Sequence, residues 1–347
     1  MKAAYLAAPR QLRIGDYPVP KVGPDDVLIQ VEVTGICGSD VEVYNGIYPE
    51  MKFPVIMGHE TSGTVAKLGE NVTKFKIGDR VTPEPSWGCG KCYFCKNSKY
   101  FYSTSNHCID PQRLGRSVGG SFAEYTAVPA DVVYLMPDNV TFDEAQSNTT
   151  LACACHGFRR SNIAIGDVVL VLGTGHLGLL AVQVAKAYGA GKVIAVDIVD
   201  KKLEMARDLG ADVTINPNKE DTVKRVLELT DDIGPDIVAE ATGLPDVFKT
   251  AIATVKPTGR VMQFGIAAPP GTFGLNAIRL MYKEIELVGT ASGRGCYPTA
   301  LNLLSTGRVK VDRFITHRFP LDELEKGIEV IEKKIGDPMR VLVNSRA

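Results

Sequence analysis

Between residues 168 and 288 the chain alternates short runs of branched apolar residues with stretches of helical periodicity, and the first turn of that alternation carries Gly173-x-Gly175-x-x-Gly178. Apolar runs without polar alternation mark strands buried on both faces, the condition of a parallel sheet covered by helices. The pattern predicts strands over 168–172, 192–196, 213–215, 236–239, 260–264 and 285–288. Helices are predicted over 177–188, 201–209, 222–229 and 246–254. Strands and helices in that order define a doubly wound α/β sheet.

A glycine triplet is a weak signal by itself and a strong one where a strand ends and a helix begins. Gly173 permits the tight turn, Gly175 lets backbone approach a pyrophosphate, and Gly178 allows the helix to pack closely on the strand. Leu177 opens the helix, whose unpaired N–H groups face the phosphates. These four residues form the predicted cofactor-binding turn. Asp197 ends the next strand, where a carboxylate accepts hydrogen bonds from ribose hydroxyls and repels a 2′-phosphate. NAD is therefore expected rather than NADP, with nearby Lys202 able to soften the preference.

The chain has 347 residues, comfortable for two domains. The first 150 residues are rich in Gly and Pro, with period-2 stretches at 27–33 and 61–68, and suggest a β-rich, partly barrel-like domain. After about 290 the texture turns mixed, with a helix over 321–333 and a strand over 340–343. The expected division is 1–155 for a catalytic domain containing a cysteine lobe at 86–110, then 156–290 for the dinucleotide domain, then 291–347. With 39 basic and 40 acidic residues, charge gives no reason to expect nucleic acid or a membrane surface as partner. The amino-terminal stretch lacks the apolar core of a signal peptide, and a reducing cytoplasm is expected.

The eight cysteines cluster as metal ligands do. Cys89, Cys92, Cys95 and Cys108 supply four soft donors, enough for a closed tetrahedral zinc that holds a loop in place. His107 is an alternative fourth ligand. Cys37, in Gly35-Ile-Cys-Gly-Ser-Asp40, and His59, in Gly58-His-Glu60, come from separate turns. With a third ligand from Cys153, Cys155 or Glu60 they would make an open zinc site able to accept a substrate oxygen. Asp40 is the expected acceptor for the other ring nitrogen of His59.

Cys37-Gly-Ser-Asp, Gly-His59-Glu, the cysteine lobe, Gly119-Gly-Ser-Phe-Ala-Glu-Tyr125, the glycine turn and Thr316-His-Arg-Phe-Pro320 together resemble the zinc-containing medium-chain alcohol and polyol dehydrogenase family over essentially the whole length. The resemblance implies a GroES-like catalytic domain interrupted by a Rossmann domain, an NAD cofactor, two zinc ions and a homodimer or homotetramer. It further implies metal binding by Cys37, His59 and Glu60, with Cys153 aligned to the third ligand of the alcohol dehydrogenases. Ser39 matches the hydroxyl that takes the substrate proton, and Glu42 stands where alcohol dehydrogenases end the proton relay with histidine. Gly265 and Thr290 are expected to frame the nicotinamide and Arg340 to reach the pyrophosphate.

Some features depart from the family. The glutamate that polyol dehydrogenases carry near Thr149 is missing, and Ala291-Ser-Gly-Arg-Gly295 lacks their Arg-Tyr pair. The expected substrate is a polyol, sugar or related secondary alcohol, ahead of a simple alcohol or a threonine-type hydroxyl. A non-catalytic NAD- and zinc-binding sensor would predict loss of a zinc ligand, and none is missing.

Overall fold

The computed structural model describes residues 1–48, 51–97, 107–267 and 271–346. Part of the predicted cysteine lobe, residues 98–106, lies outside them. The chain divides into two compact units. The first comprises Met1–Thr149, Tyr297–Ser305 and Val311–Ala347, and the second Thr150–Cys296 and Thr306–Lys310.

The first unit is organised by strand Asp26–Ile36. It pairs antiparallel with Glu60–Leu68, with Tyr125–Pro129 and with Arg340–Asn344. Its alternation predicts a strand ending at Val33, yet the strand continues through Ile36. The extra residues are held by partners remote in sequence: Gly35 lies opposite both Glu60 and Leu342, and Ile36 opposite Val341. Nothing local signals that extension, which delivers Cys37 to the end of the strand.

Helix Leu324–Glu332, preceded by a 3-10 turn at Leu321–Glu323, closes this unit. Leu324, Ile328 and Val330 pack into a core cluster with Leu6, Ile36, Val43, Met57 and Val341. The expected single helix over 321–333 is thus split at its first turn. Burial of that apolar stripe is what brings the end of the chain back to its beginning.

The second unit holds a six-stranded sheet in the order Val213–Ile215, Lys192–Val196, Val168–Leu172, Ile237–Glu240, Arg260–Gln263, Glu286–Gly289. Every pairing is parallel. The order runs outward in two directions from Val168–Leu172 and Ile237–Glu240, the reversal point where such sheets bind ligands beyond their strand ends. Helix His176–Ala187 packs over Val168–Leu172 and Lys192–Val196. Strand and helix positions follow the sequence pattern to within about a residue because these strands are buried on both faces and read as unbroken apolar runs.

Helices Asn148–Arg160 and Ala277–Lys283 carry no such pattern and are absent from the sequence reading. No helix among the described residues is long and apolar enough to cross a membrane.

Candidate active site

Cys37 caps helix Gly38–Tyr44, and the turn is closed by Asp40, whose Oδ2 accepts from the Cys37 N–H at 2.9 Å. The same carboxylate reaches a second loop. Its Oδ1 accepts from the Gly58 N–H at 3.3 Å and from His59 Nδ1 at 3.2 Å. Asp40 is 2% exposed, so these bonds form away from competing water. With Nδ1 donating to Asp40, the Nε2 lone pair is the one available to a metal. Gly58 makes the approach possible, because its φ of +90° is one that a side chain would strain.

One ligand atom from each of Cys37, His59 and Glu60 lies within 4.8 Å of the others. A thiol sulfur from one turn, with an imidazole nitrogen and a carboxylate oxygen from the adjacent His59 and Glu60 of another, fit a zinc site with an open position. Burial, the largest single influence, lowers the His59 pKa. The charge and hydrogen bond of Asp40, followed by Cys37, outweigh it and hold the imidazole well above its ordinary value. Metal binding at His59 therefore displaces a proton.

Glu60 is fixed from behind. The Arg340 guanidinium, 3% exposed, pairs through Nη1 with Glu60 Oε2 and donates Nε to Gln146 Oε1 at 2.8 Å. Sequence reasoning assigns Arg340 to a pyrophosphate; in the structure its partners are Glu60 and Gln146. Gln146 gives no sequence signal. Cys153 is half-buried on helix Asn148–Arg160 and falls in the second unit. Cys155, one of the alternatives for the third ligand, is fully buried, and burial pushes its thiol up to about 12.

Ser39 and Glu42 sit three residues apart on helix Gly38–Tyr44, hence on one face. Ser39 is buried. The Glu42 carboxylate accepts a short hydrogen bond of 2.5 Å from the Tyr48 hydroxyl. Burial, with that bond next, raises the Tyr48 phenol to about 12, so it remains a donor. Arg116 lies over the Tyr48 ring at 4.2 Å and donates Nη2 to its oxygen at 3.1 Å. Neither Tyr48 nor Arg116 is apparent from the sequence as part of the site.

The sulfurs of Cys89, Cys92, Cys95 and Cys108 all lie within 4.8 Å of one another. Backbone N–H groups point at them: Cys89 and Asp110 donate to Cys108 Sγ at 3.2 and 3.4 Å. Backbone donors at Cys95 and Ile109 lower the Cys92 thiol to about 6, and those at Lys91 and Cys92 lower Cys89. Cys95 is pushed up to about 12, by burial first and then by the neighbouring sulfurs. Four soft donors in a cage of N–H groups suit a closed tetrahedral metal.

In the second unit the glycine turn joins strand Val168–Leu172 to helix His176–Ala187. A Cβ on Gly178 would lie 1.8 Å from the Gly173 carbonyl oxygen, which excludes every side chain there. At Gly175 the corresponding space is empty to 4 Å, leaving the helix amino terminus open to a phosphate. Leu177 lies half-buried in the first turn of that helix. Asp197 is anchored to this turn, its Oδ2 accepting from Thr174 N at 2.8 Å and Thr174 Oγ1 at 3.0 Å. Thr174 is a positioning residue that the glycine pattern does not reveal.

Gly265 and Thr290 follow the ends of the neighbouring strands, so all these residues gather at one edge of the sheet. Lys202 lies on helix Asp200–Asp208. Glu240, fully buried at the strand reversal, accepts from Thr242 N at 2.8 Å and braces the adjoining loop. It too is invisible in the sequence.

Residues 23–138 match the family model for the alcohol dehydrogenase GroES-like domain and residues 177–306 that for zinc-binding dehydrogenase. A sorbitol dehydrogenase of Bombyx mori is 35% identical over 99% of this chain and 98% of its own. A D-arabitol-phosphate dehydrogenase of Enterococcus avium is 34% identical over 99% and 97%. Among solved structures, an alcohol dehydrogenase of Escherichia coli CFT073 complexed with NADH superimposes with a TM-score of 0.89 at 30% identity, covering 99% of each chain. The chain belongs to the zinc-containing medium-chain alcohol and polyol dehydrogenase family, and its mixed architecture is the GroES-like and Rossmann pairing of that family.

The packing at Gly178 yields a direct test. Gly178→Ala forces a methyl group onto the Gly173 carbonyl, and the cost expected is about 1–3 kcal/mol. Urea denaturation should show a lower midpoint with an unchanged slope.

Proposed function

We propose that the chain is an NAD-dependent dehydrogenase that holds two zinc ions and oxidises a secondary alcohol of a polyol, sugar or related hydroxy compound. The observation that supports it most is the convergence of Cys37, His59 and Glu60 on one point. These three residues hold the catalytic zinc, and Cys89, Cys92, Cys95 and Cys108 hold the second. Zinc, when bound, supplies a Lewis acid that acidifies an alcohol, and NAD supplies the hydride acceptor.

The chain's own residues position and deprotonate. Asp40 orients His59, and Arg340 holds Glu60 toward the site. Ser39, buried in the first turn of the helix capped by Cys37, takes the hydroxyl proton, and Glu42 one turn later accepts it onward, with Tyr48 fixing that carboxylate. Gly173, Gly175, Leu177 and Gly178 seat the pyrophosphate, Asp197 and Lys202 face the ribose, and Gly265 and Thr290 frame the nicotinamide. A reducing cytoplasm is the compartment in which eight free thiols persist.

Association into a homodimer, or a homotetramer built from it, is supported by the surface of the second unit. Strand Glu286–Gly289 ends the parallel sheet, and Leu287 is 44% exposed. On neighbouring helix Ala277–Lys283, Ile278, Met281 and Tyr282 are 67%, 64% and 79% exposed. An unpaired strand edge beside apolar side chains is suited to a second copy of the chain. Light scattering should report at least a dimer, and Leu287→Lys with Met281→Lys should shift it to monomer. A wild-type monomer at micromolar concentration would refute the assignment.

Metal analysis separates the two zinc sites. Cys37→Ser should lose one zinc equivalent together with alcohol-dependent NAD reduction, and Glu60→Gln should weaken the same site. Cys108→Ser should lose the other equivalent and lower the unfolding temperature. Turnover undiminished in Cys37→Ser would count against the scheme. Asp197→Ala should reduce kcat/KM for NAD by about 10- to 100-fold, since it removes a charged hydrogen-bond acceptor, and should improve use of NADP. An unchanged NAD to NADP ratio would contradict the role given to Asp197.

A further inference from the structure

The first unit contains a cavity of about 800 Å³ that the scheme above does not use. Its wall includes Lys21, Lys52, Arg113 and Arg116, with Asp110 as the one carboxylate among the described lining residues. None of the four cations forms an ion pair with a described acidic residue, although paired lysines and arginines occur throughout the chain. Like charges gathered around one concave space raise a positive potential there that attracts an anion.

The geometry favours a phosphoryl group. Arg116 is held in orientation by stacking on Tyr48 and by its bond to the phenol oxygen, which occupies one of its five N–H donors. Planar guanidinium groups match phosphate oxygens two at a time, and a phosphate monoester carries nearly two charges at neutral pH. Two arginines and two lysines suit that charge better than they suit a single carboxylate.

Two residues of the wall connect the cavity to the Cys37–His59–Glu60 cluster through short stretches of chain or a hydrogen bond. Tyr48, on its wall, holds Glu42 on the helix that Cys37 caps. Ile56, also on the wall, precedes His59 by three residues, so their Cα atoms are at most about 11 Å apart.

We infer that this cavity binds the phosphate of the substrate, and that the alcohol oxidised is a polyol monophosphate whose reacting hydroxyl faces Cys37 and His59. This rests on the dehydrogenase reading above and narrows its substrate. The redox step is unchanged: the carbinol C–H and O–H bonds break, hydride reduces NAD⁺, the proton leaves by Ser39, and a carbonyl forms. The phosphate is a handle and stays intact.

The test pairs kinetics with calorimetry on the zinc-loaded enzyme. NAD reduction is followed with sorbitol and sorbitol 6-phosphate, and with arabitol and arabitol 5-phosphate. Inorganic phosphate is titrated separately without NAD. The phosphorylated member of at least one pair should have the higher kcat/KM, and Arg113→Ala with Lys52→Ala should reduce that preference by about 10- to 100-fold, mainly through KM. The same double variant should lose the heat of phosphate binding, and Lys67→Ala, an exposed lysine outside the cavity, should retain both.

Equal kcat/KM within both pairs overturns the inference and leaves the dehydrogenase reading intact, even where inorganic phosphate binds. Oxidation of no alcohol at all refutes the dehydrogenase reading. Calorimetry then decides for the cavity: variant-sensitive phosphate heat supports an anion site, and its absence overturns it.

Discussion

The first unit's chemistry depends on one buried carboxylate. Asp40 accepts from the Cys37 amide, the Gly58 amide and the His59 ring, and so ties together two turns that the sequence keeps about twenty residues apart. Without it two backbone donors and a ring nitrogen would be buried unsatisfied, a cost of about 1–3 kcal/mol for each neutral group. The convergence of sulfur and imidazole is a consequence of this hydrogen bonding. Strand register supplies the rest: Gly35 opposite Glu60 sets the ends of two strands side by side, and a slip of one residue would turn Glu60 to the other face.

The two donor sets differ in what surrounds them. The four cysteines draw backbone N–H groups onto sulfur and need nothing else, which suits a metal that never changes ligands. Cys37, His59 and Glu60 are instead held by side chains, the first two by Asp40 and the third by Arg340. Such individually braced ligands leave a position free and still keep their orientation. The proposed relay groups share this economy, since the helix that Cys37 caps also presents Ser39 and Glu42.

Much of the nucleotide-binding unit was legible in the sequence because its strands are covered on both faces and its turn requires glycine for steric reasons at Gly178. The two candidate donor clusters were legible by residue type, and Asp40 by its place beside Cys37. What escaped depends on pairing between distant segments. The contact of Arg340 with Glu60 could not be read from the sequence, because it exists only once Arg340–Asn344 pairs with Asp26–Ile36. Gln146, Thr174, Tyr48 and Arg116 have ordinary local surroundings and acquire roles only through the folded chain. Helix Asn148–Arg160 escaped for a different reason, its polar and β-branched start offering no apolar period.

The role of Asp40 is most directly measured by the metal content and zinc affinity of Asp40→Ala. Loss of its three hydrogen bonds should weaken zinc at Cys37 and His59 by about 10- to 100-fold while zinc at the four cysteines is unaffected. Wild-type affinity at both sites in that variant would contradict the claim that this carboxylate assembles the site.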